Sequence, residues 1–543
     1  MALVDLHLLD GEAQPDVDPD RVIAWPARIL LLLLLALAAI FGLRLFLLPV
    51  PLGAIAPADE FSASRAAQNV AAISAQAPGG VEAALAASLA ALGLAAEPLP
   101  AGSRGVAARL RGTQPAGTIL LVTPYDPAGS APGLAGSSAM LEALRALSTG
   151  PKPTNDILVL FSATRPLDEA VLAAYDTALV FRFERITDRG PVALVGATGR
   201  SGGLVREALR DLPHPTVTFA PLDLGTRPAS RAATLSFAAI GGPSMEVGAD
   251  LRTMQDAGAT ALALLRRFSS ASLPVPEAPD VVAMTIGQDQ VVTYPATWSG
   301  RMAVAALAAA FVLIGIGLLT RKLDARPVAT GLVLFPLIAV VTWALGLVVL
   351  SLLFRWNPGG HLLPWGTPHS GWFMGAVVAL SVGFVSLLVT VLRSFRKTPN
   401  ADFALAAAGL FWWAFFGFVA RSLYPDLAPL AALPVLLLIP AFLVLYLTKD
   451  VSRHPWLGAT ALAVAAVPAV LLLAPVCRFL DVAAGWAVPA PRLSVAAVSA
   501  ALSALVTMLL IPHLSLPRRR WLFPAFCAVA AVGLFGAGVW LSP

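Results

Sequence analysis

Hydrolysis or transfer chemistry needs acids, bases and nucleophiles, and within its long polar segment this chain is nearly without one common member of that set, histidine. Between Pro51 and Ser299 the only histidine is His214, flanked by Pro213 and Pro215 in an expected turn. A serine hydrolase would want Gly-x-Ser-x-Gly followed by a histidine, and that pentapeptide does not occur. Both cysteines, Cys477 and Cys527, lie in or beside apolar blocks, which excludes a disulfide framework and a cysteine zinc site in the polar part. The most suggestive motif is VALVGATGRSGG at 192–203, a strand running into Gly196-x-x-Gly199-x-x-Gly202 and then a helix. That pattern can lay a dinucleotide pyrophosphate on a helix N-terminus. A plain glycine-rich turn is the better reading. Half of the polar segment precedes the motif, too few residues follow it, and the segment is expected outside the cytoplasm.

The elements around these residues alternate. Residues 61–74 and 80–93 read as helices, with apolar residues at helical spacing and glycine at the end. The runs 118–123 (TILLVT) and 156–162 (DILVLFS) read as buried strands, with a helix over 137–147 between them and another over 168–175. Leu110 lies in a short strand. Strands at 178–183, 192–195, 216–219 and 234–239, helices at 203–212 and 253–268, complete the pattern. Alternation of this kind implies an α/β fold with a mostly parallel central sheet.

The rest of the chain is apolar. Of 543 residues, 57% are hydrophobic and 13% charged, against roughly a quarter charged in soluble proteins. The excess sits in blocks long enough to cross a hydrocarbon core of about 30 Å as helix. Nine spans are expected, at 27–50, 301–320, 328–353, 372–392, 403–419, 427–447, 456–476, 493–511 and 521–541. Their interiors hold no Asp, Glu, His or Lys, which argues against an ion-coupled transporter. Alternate loops hold Arg321, Lys322 and Arg326; Arg393, Arg396 and Lys397; Lys449 and Arg453; and Arg518, Arg519 and Arg520. The others hold only Arg355, Arg421, Arg478 and Arg492. The positive-inside rule then places a tail at 1–26 in the cytoplasm, a retained anchor at 27–50, a domain at 57–299 outside, and an eight-span body at 301–543. The net charge of +5 reports this topology, and no nucleic-acid partner is expected. Few lysines, with 43 Gly and 45 Pro, suggest a GC-rich bacterial genome, hence an inner (plasma) membrane and a periplasmic or extracellular domain.

The order and wording of the polar segment resemble the membrane-bound branch of the zinc aminopeptidase family, the endoplasmic reticulum and vacuolar metallopeptidases. The resemblance rests on FSASRA at 61–66, TILLVTPYDPAGSAPGLAGSSAMLEALRAL at 118–147, DILVLFSA at 156–163, MQDAGATALALLR at 254–266 and VVTYPATW at 291–298. It implies an aminopeptidase-like (zinc-peptidase/phosphorylase-like) α/β/α sandwich on a polytopic helical bundle. In that family two zinc ions share a carboxylate and a water, and a glutamate acts as general base. The ligand pair His-x-Asp falls here on Pro124-Tyr125-Asp126, and the bridging aspartate on Gly136. The paired glutamates fall on Arg165-Pro166, with Asp168-Glu169 nearby, and the third acid on Glu184. The last histidine should lie within 241–250, which contains none.

Asp126 and Glu184 are thus the only remnants of a metal set, and Tyr125 and Arg165 are expected to line the former cleft. The preferred reading is a pseudopeptidase without cofactor, like the aminopeptidase-like subunit of the GPI transamidase. Embedded in the lipid bilayer, it would hold a peptide, a lipid headgroup or a partner protein. Arg165 in place of an acid would favour an anionic ligand. Two alternatives stay open: an active zinc exopeptidase with a divergent site, and a lipid-handling or transport protein with a periplasmic lid.

Overall fold

The computed structural model describes residues 25–44, 47–76, 80–100, 103–163, 175–184, 186, 188–198, 201–217, 232–240, 242–243, 249–286, 290–356, 370–395, 401–423, 428–447, 455–486 and 521–541. Helix α1 (Trp25–Leu43) comes first, and the polar segment then folds as an α/β domain. Its elements are α2 (Ala63–Gln76), α3 (Val81–Ala91), β1 (Ala95–Glu97), β2 (Gly105–Leu110), β3 (Thr118–Pro124), α4 (Ala131–Ser148), β4 (Asp156–Ser162) and β5 (Leu179–Glu184). There follow β6 (Asp188–Arg189), β7 (Val192–Ala197), α5 (Gly202–Arg210), β8 (Thr216–Val217), β9 (Ala233–Ala239), β10 (Gly242–Pro243) and α6 (Leu251–Ser269). A hairpin of β11 (Val281–Ile286) and β12 (Gln290–Pro295) ends the domain.

Eight strands form one sheet in the order β1-β2-β4-β3-β5-β9-β7-β8. Its centre, β4-β3-β5-β9, is parallel; β2 meets β1 and β4 antiparallel, β7 meets β9 antiparallel, and β8 at the far edge runs parallel to β7. Four of the seven pairings are parallel, so the expected parallel centre is present within a mixed sheet. Connection length explains the reversals. A parallel return needs a crossover of a dozen or more residues. Between the end of β5 at Glu184 and the start of β7 at Val192 there is room only for a short turn, so β7 runs back, with Val192 opposite Ala239.

Strands β3 and β4 are continuous apolar runs because both faces are covered. Ile119 and Leu121 join the large core under α2, α3, α4 and α6, while Leu120 and Val122 join a second core on the opposite face. All five described helices of the domain contribute to the first face. The helix expected over 168–175, which would cover the second, lies outside the described residues apart from Tyr175. Helix α4 begins six residues before the expected 137. Pro132 is tolerated in a first turn, where its missing N–H costs no bond, but it hides the helix start in the sequence. The β11–β12 hairpin lies beyond the expected elements, which end with the helix at 253–268.

Beyond the domain run α7 (Thr297–Leu319), α8 (Ala325–Trp356), α9 (Ser370–Phe395), α10 (Ala401–Leu423), α11 (Ala428–Leu447), α12 (Pro455–Trp486) and α13 (Leu522–Leu541). Helices thus pass through eight of the nine segments expected to span, and 493–511 lies outside the described residues. Among the described residues four stretches are long and apolar enough to cross a membrane: Thr297–Leu319, Ala325–Val348, Ala404–Ser422 and Leu522–Trp540. The expected count of nine is not reached. Within the expected anchor, helix α1 runs from Trp25 to Leu43. Within the bundle, α1 packs on α12, α9 on α13, and α11 on α7.

The connector from α1 is fastened to the domain. Arg65 on α2 pairs with buried Glu142 on α4 at 2.6 Å and donates to the carbonyls of Ala54, Ala56, Pro57 and Glu60. Gln255 on α6 accepts from the backbone N–H of both Leu52 and Ala63. One planar guanidinium with several donors can satisfy that many carbonyls at once, which a lysine cannot.

Candidate functional site

The carboxyl ends of the parallel strands carry the residues matched to the family's metal set. At the end of β3, Tyr125 donates its backbone N–H to the Ser162 carbonyl at 2.9 Å, which ties the ends of β3 and β4 together. Its side chain is 1% exposed and belongs to the main core. The hydroxyl donates to Glu82 on α3 at 2.8 Å. Burial, then that hydrogen bond, pushes the phenol well above its ordinary range, so it stays protonated. Tyr125 is a buried pillar in this arrangement.

Asp126 folds its own loop. One carboxylate oxygen accepts from the Ala128 N–H at 2.9 Å, and the other accepts from the Ser130 hydroxyl. Its backbone N–H donates to Gly133, and its carbonyl accepts from Gly129. This is an Asx turn, the use to which a short acid is most often put in a loop before a helix.

Gly136 sits in α4 against β3. A Cβ there would stand 2.7 Å from Thr123 Oγ1 and 3.5 Å from Ile186 Cβ. A side chain at this position would have to displace the Thr123 hydroxyl. Pro124 offers no donor atom. Glu184, at the end of β5, pairs at 2.8 Å with Arg182, which stands two residues earlier on the same face and is 1% exposed. The Arg182 guanidinium, in a strand between Val122 of β3 and Ser236 of β9, is the bulkiest fully buried side chain in the chain's described residues. A buried charge needs a partner, and Glu184 supplies one. Sequence reasoning missed Arg182, although an arginine inside the apolar strand LVFRFE was visible.

Arg165, Pro166, Asp168 and Glu169 lie outside the described residues, as do 244–248. Asp250 caps α6, accepting from the Arg252 N–H at 3.0 Å. Among the described residues no three His, Cys, Asp or Glu side chains converge as a metal site would require. Of the described residues at the positions matched by resemblance, Pro124 lacks a donor atom, Asp126 accepts from Ala128 and Ser130, and Glu184 pairs with Arg182.

A second acid at this edge was not foreseen. Asp256 on α6 is fully buried and accepts from the Val192 N–H at 2.6 Å, 64 residues away in the chain. Its other oxygen, Oδ1, has no hydrogen-bond partner. Burial raises its pKa to about 6, against the lowering effects of the Val192 N–H and of His214. His214, half-buried in the turn before β8, is thus brought near an acid, but near one that is sealed from solvent. Nothing local in MQDAGAT marks that aspartate as buried.

The glycine-rich turn between β7 and α5 is filled by the chain itself. Ser201 bridges to Ala278, and a Cβ on Gly202 would collide with the Pro279 carbonyl. Glycine is needed there so that residues 276–279 can cross the start of α5, which is the ground a bound pyrophosphate would occupy.

No family model matches this chain, and no curated protein does. Among solved structures, a glutaminyl cyclase of Porphyromonas gingivalis is similar at 15% identity, covering 38% of this chain and 99% of its own, with a TM-score of 0.27. A second structure of glutaminyl cyclase from that organism has 14% identity, the same 38% of this chain, 98% of its own and a TM-score of 0.27. Likeness at that level carries no weight for fold or activity, and the fold above rests on strand order and register alone.

Proposed function

We propose that this chain is a membrane-anchored, metallopeptidase-like protein whose α/β domain does not hydrolyse peptides and serves instead as a binding or scaffold subunit. The observation that carries this reading is Gly136. A Cβ there would meet the Thr123 hydroxyl at 2.7 Å, so an acid at this position would have to displace Thr123. The engagement of Asp126 with Ala128 and Ser130, and of Glu184 with Arg182, supports the same reading. The aminopeptidase-like sandwich itself is proposed on the sequence resemblance. So is the layout: a cytoplasmic tail at 1–26, an anchor at 27–50, the domain at 57–299 on the outer face of an inner (plasma) membrane, and an eight-span body at 301–543. The ligand is proposed to be a peptide, lipid headgroup or partner protein, held beside Arg165, with no cofactor.

Metal content tests this. The full chain, purified in detergent, is exchanged into zinc-containing and then zinc-free buffer and measured by elemental mass spectrometry. The expected result is substoichiometric zinc that Asp126→Ala and Glu184→Ala leave unchanged. One or two retained zinc ions per chain, lost in either variant, would overturn the proposal and restore a hydrolase.

A further inference from the structure

Strand β11 has two faces, and each belongs to a different part of the molecule. Successive side chains of a strand point to opposite sides. Val281 and Ala283 enter the main core of the α/β domain. On the same face, the Thr285 hydroxyl accepts from the Val217 N–H at 2.9 Å and donates to the Pro215 carbonyl at 2.8 Å, buried at the edge of the eight-stranded sheet. That single side chain satisfies two backbone groups of the β8 edge, which would otherwise be open to pairing. On the opposite face, Met284 packs with Ile286 and with the cross-strand neighbour region at Tyr294. It packs equally with Leu430 and Leu433 of α11 and Leu472 of α12.

A two-stranded hairpin is marginal in water by itself. Here six consecutive register pairs, from Val281–Pro295 to Ile286–Gln290, are held because both sides of β11 are buried by something larger. Partner strand β12 is mostly exposed and runs without a break into α7. The Ala296 N–H, which donates to the Asp280 carbonyl at 2.9 Å, closes the base of the hairpin at that junction. The domain's other crossing, from α1, is fastened by Arg65 and Gln255. Neither attachment is a free tether.

We infer that the β11–β12 hairpin is a coupling strut, which locks the α/β domain in one orientation on helices α11 and α12 so that domain and bundle move as one body. Its consequence is that a displacement of the β8 edge is passed to the outer ends of those helices through Thr285 and Met284. This follows from the alternation of β11 alone and does not depend on whether the domain hydrolyses anything.

Spin-label distances in the full chain, reconstituted in lipid nanodiscs, test the strut. Labels go on Ala86→Cys in α3 and Lys322→Cys after α7, both exposed positions, in a background of Cys477→Ser and Cys527→Ser. The expected result is one narrow distance distribution, broadened at least twofold by Met284→Asp and also by Thr285→Val. Amide exchange of β3 and β4 is measured in the same samples. If Met284→Asp raises it, that variant has damaged the domain and the milder Thr285→Val arm decides. A distribution already broad without either substitution, or one left narrow by Thr285→Val, overturns the inference.

Discussion

Replacing Asp256 by asparagine should remove a pH dependence from the domain's stability. The ordinary carboxyl value is 3.8, and burial raises it to about 6 in the fold. The folded protein therefore keeps a proton, between those values, that the unfolded chain releases. Stability from this group is fully present below pH 3.8 and is lost as pH rises through about 6. The whole difference is about 3 kcal/mol, at 1.36 kcal/mol per unit. Between pH 5 and pH 7.5 the part lost is about 1 kcal/mol by the same linkage. Asparagine can still accept from the Val192 N–H, but its amide N–H groups then face the place where Oδ1 has no partner, which costs about 1–3 kcal/mol. The absolute stability of Asp256→Asn is thus set by two opposing terms, and the slope with pH is the diagnostic quantity. None of the 12 tryptophans lies within 57–297, so intrinsic fluorescence would report the bundle. Pulse proteolysis in urea on the detergent-purified chain, at pH 5.0 and 7.5, reports the domain instead. The wild type minus variant difference should shift by about 1 kcal/mol toward the variant at the higher pH. An unchanged difference would refute the buried-acid reasoning.

Two further substitutions test close contacts. Gly136→Asp, which restores the family's acid, should cost the domain about 3 kcal/mol or more through overpacking against Thr123 and burial of a charge. Thr123→Ala should recover part of that loss, and additivity of the two in pulse proteolysis would sink the packing argument. In the bundle, Pro336 cannot donate to the Leu332 carbonyl one turn back, and the Trp412 indole N–H does so at 2.7 Å from α10. Trp412→Phe should lower bundle stability in detergent by about 1 kcal/mol, and should cost less when Pro336→Ala has restored the helical bond. Equal costs in both backgrounds would show that the indole bond does not serve the proline.

Much of the architecture was legible because it depends on neighbours in the chain. The runs TILLVT and DILVLFS are apolar at every position, and a strand buried on both faces needs nothing else to be recognised. The same holds for the apolar blocks, which helices occupy wherever they are described, and for the loss of donors at Pro124 and Gly136, which is a matter of residue type. Three-dimensional context decided the remainder. The direction of β7 came from the length of the turn before it and the strand it met. Asp256 and Asp126 are the same side chain in the sequence, yet one is sealed beneath Val192 with a raised pKa and the other folds a half-exposed loop. Thr285 and Met284 are adjacent and unremarkable until the sheet edge and two apolar helices of the bundle arrive on opposite sides of them. Hydrophobicity is carried by each residue and survives translation into sequence pattern. Burial of a polar group, and the partner that answers it, are properties of the folded neighbourhood, assembled from segments that lie far apart along the chain.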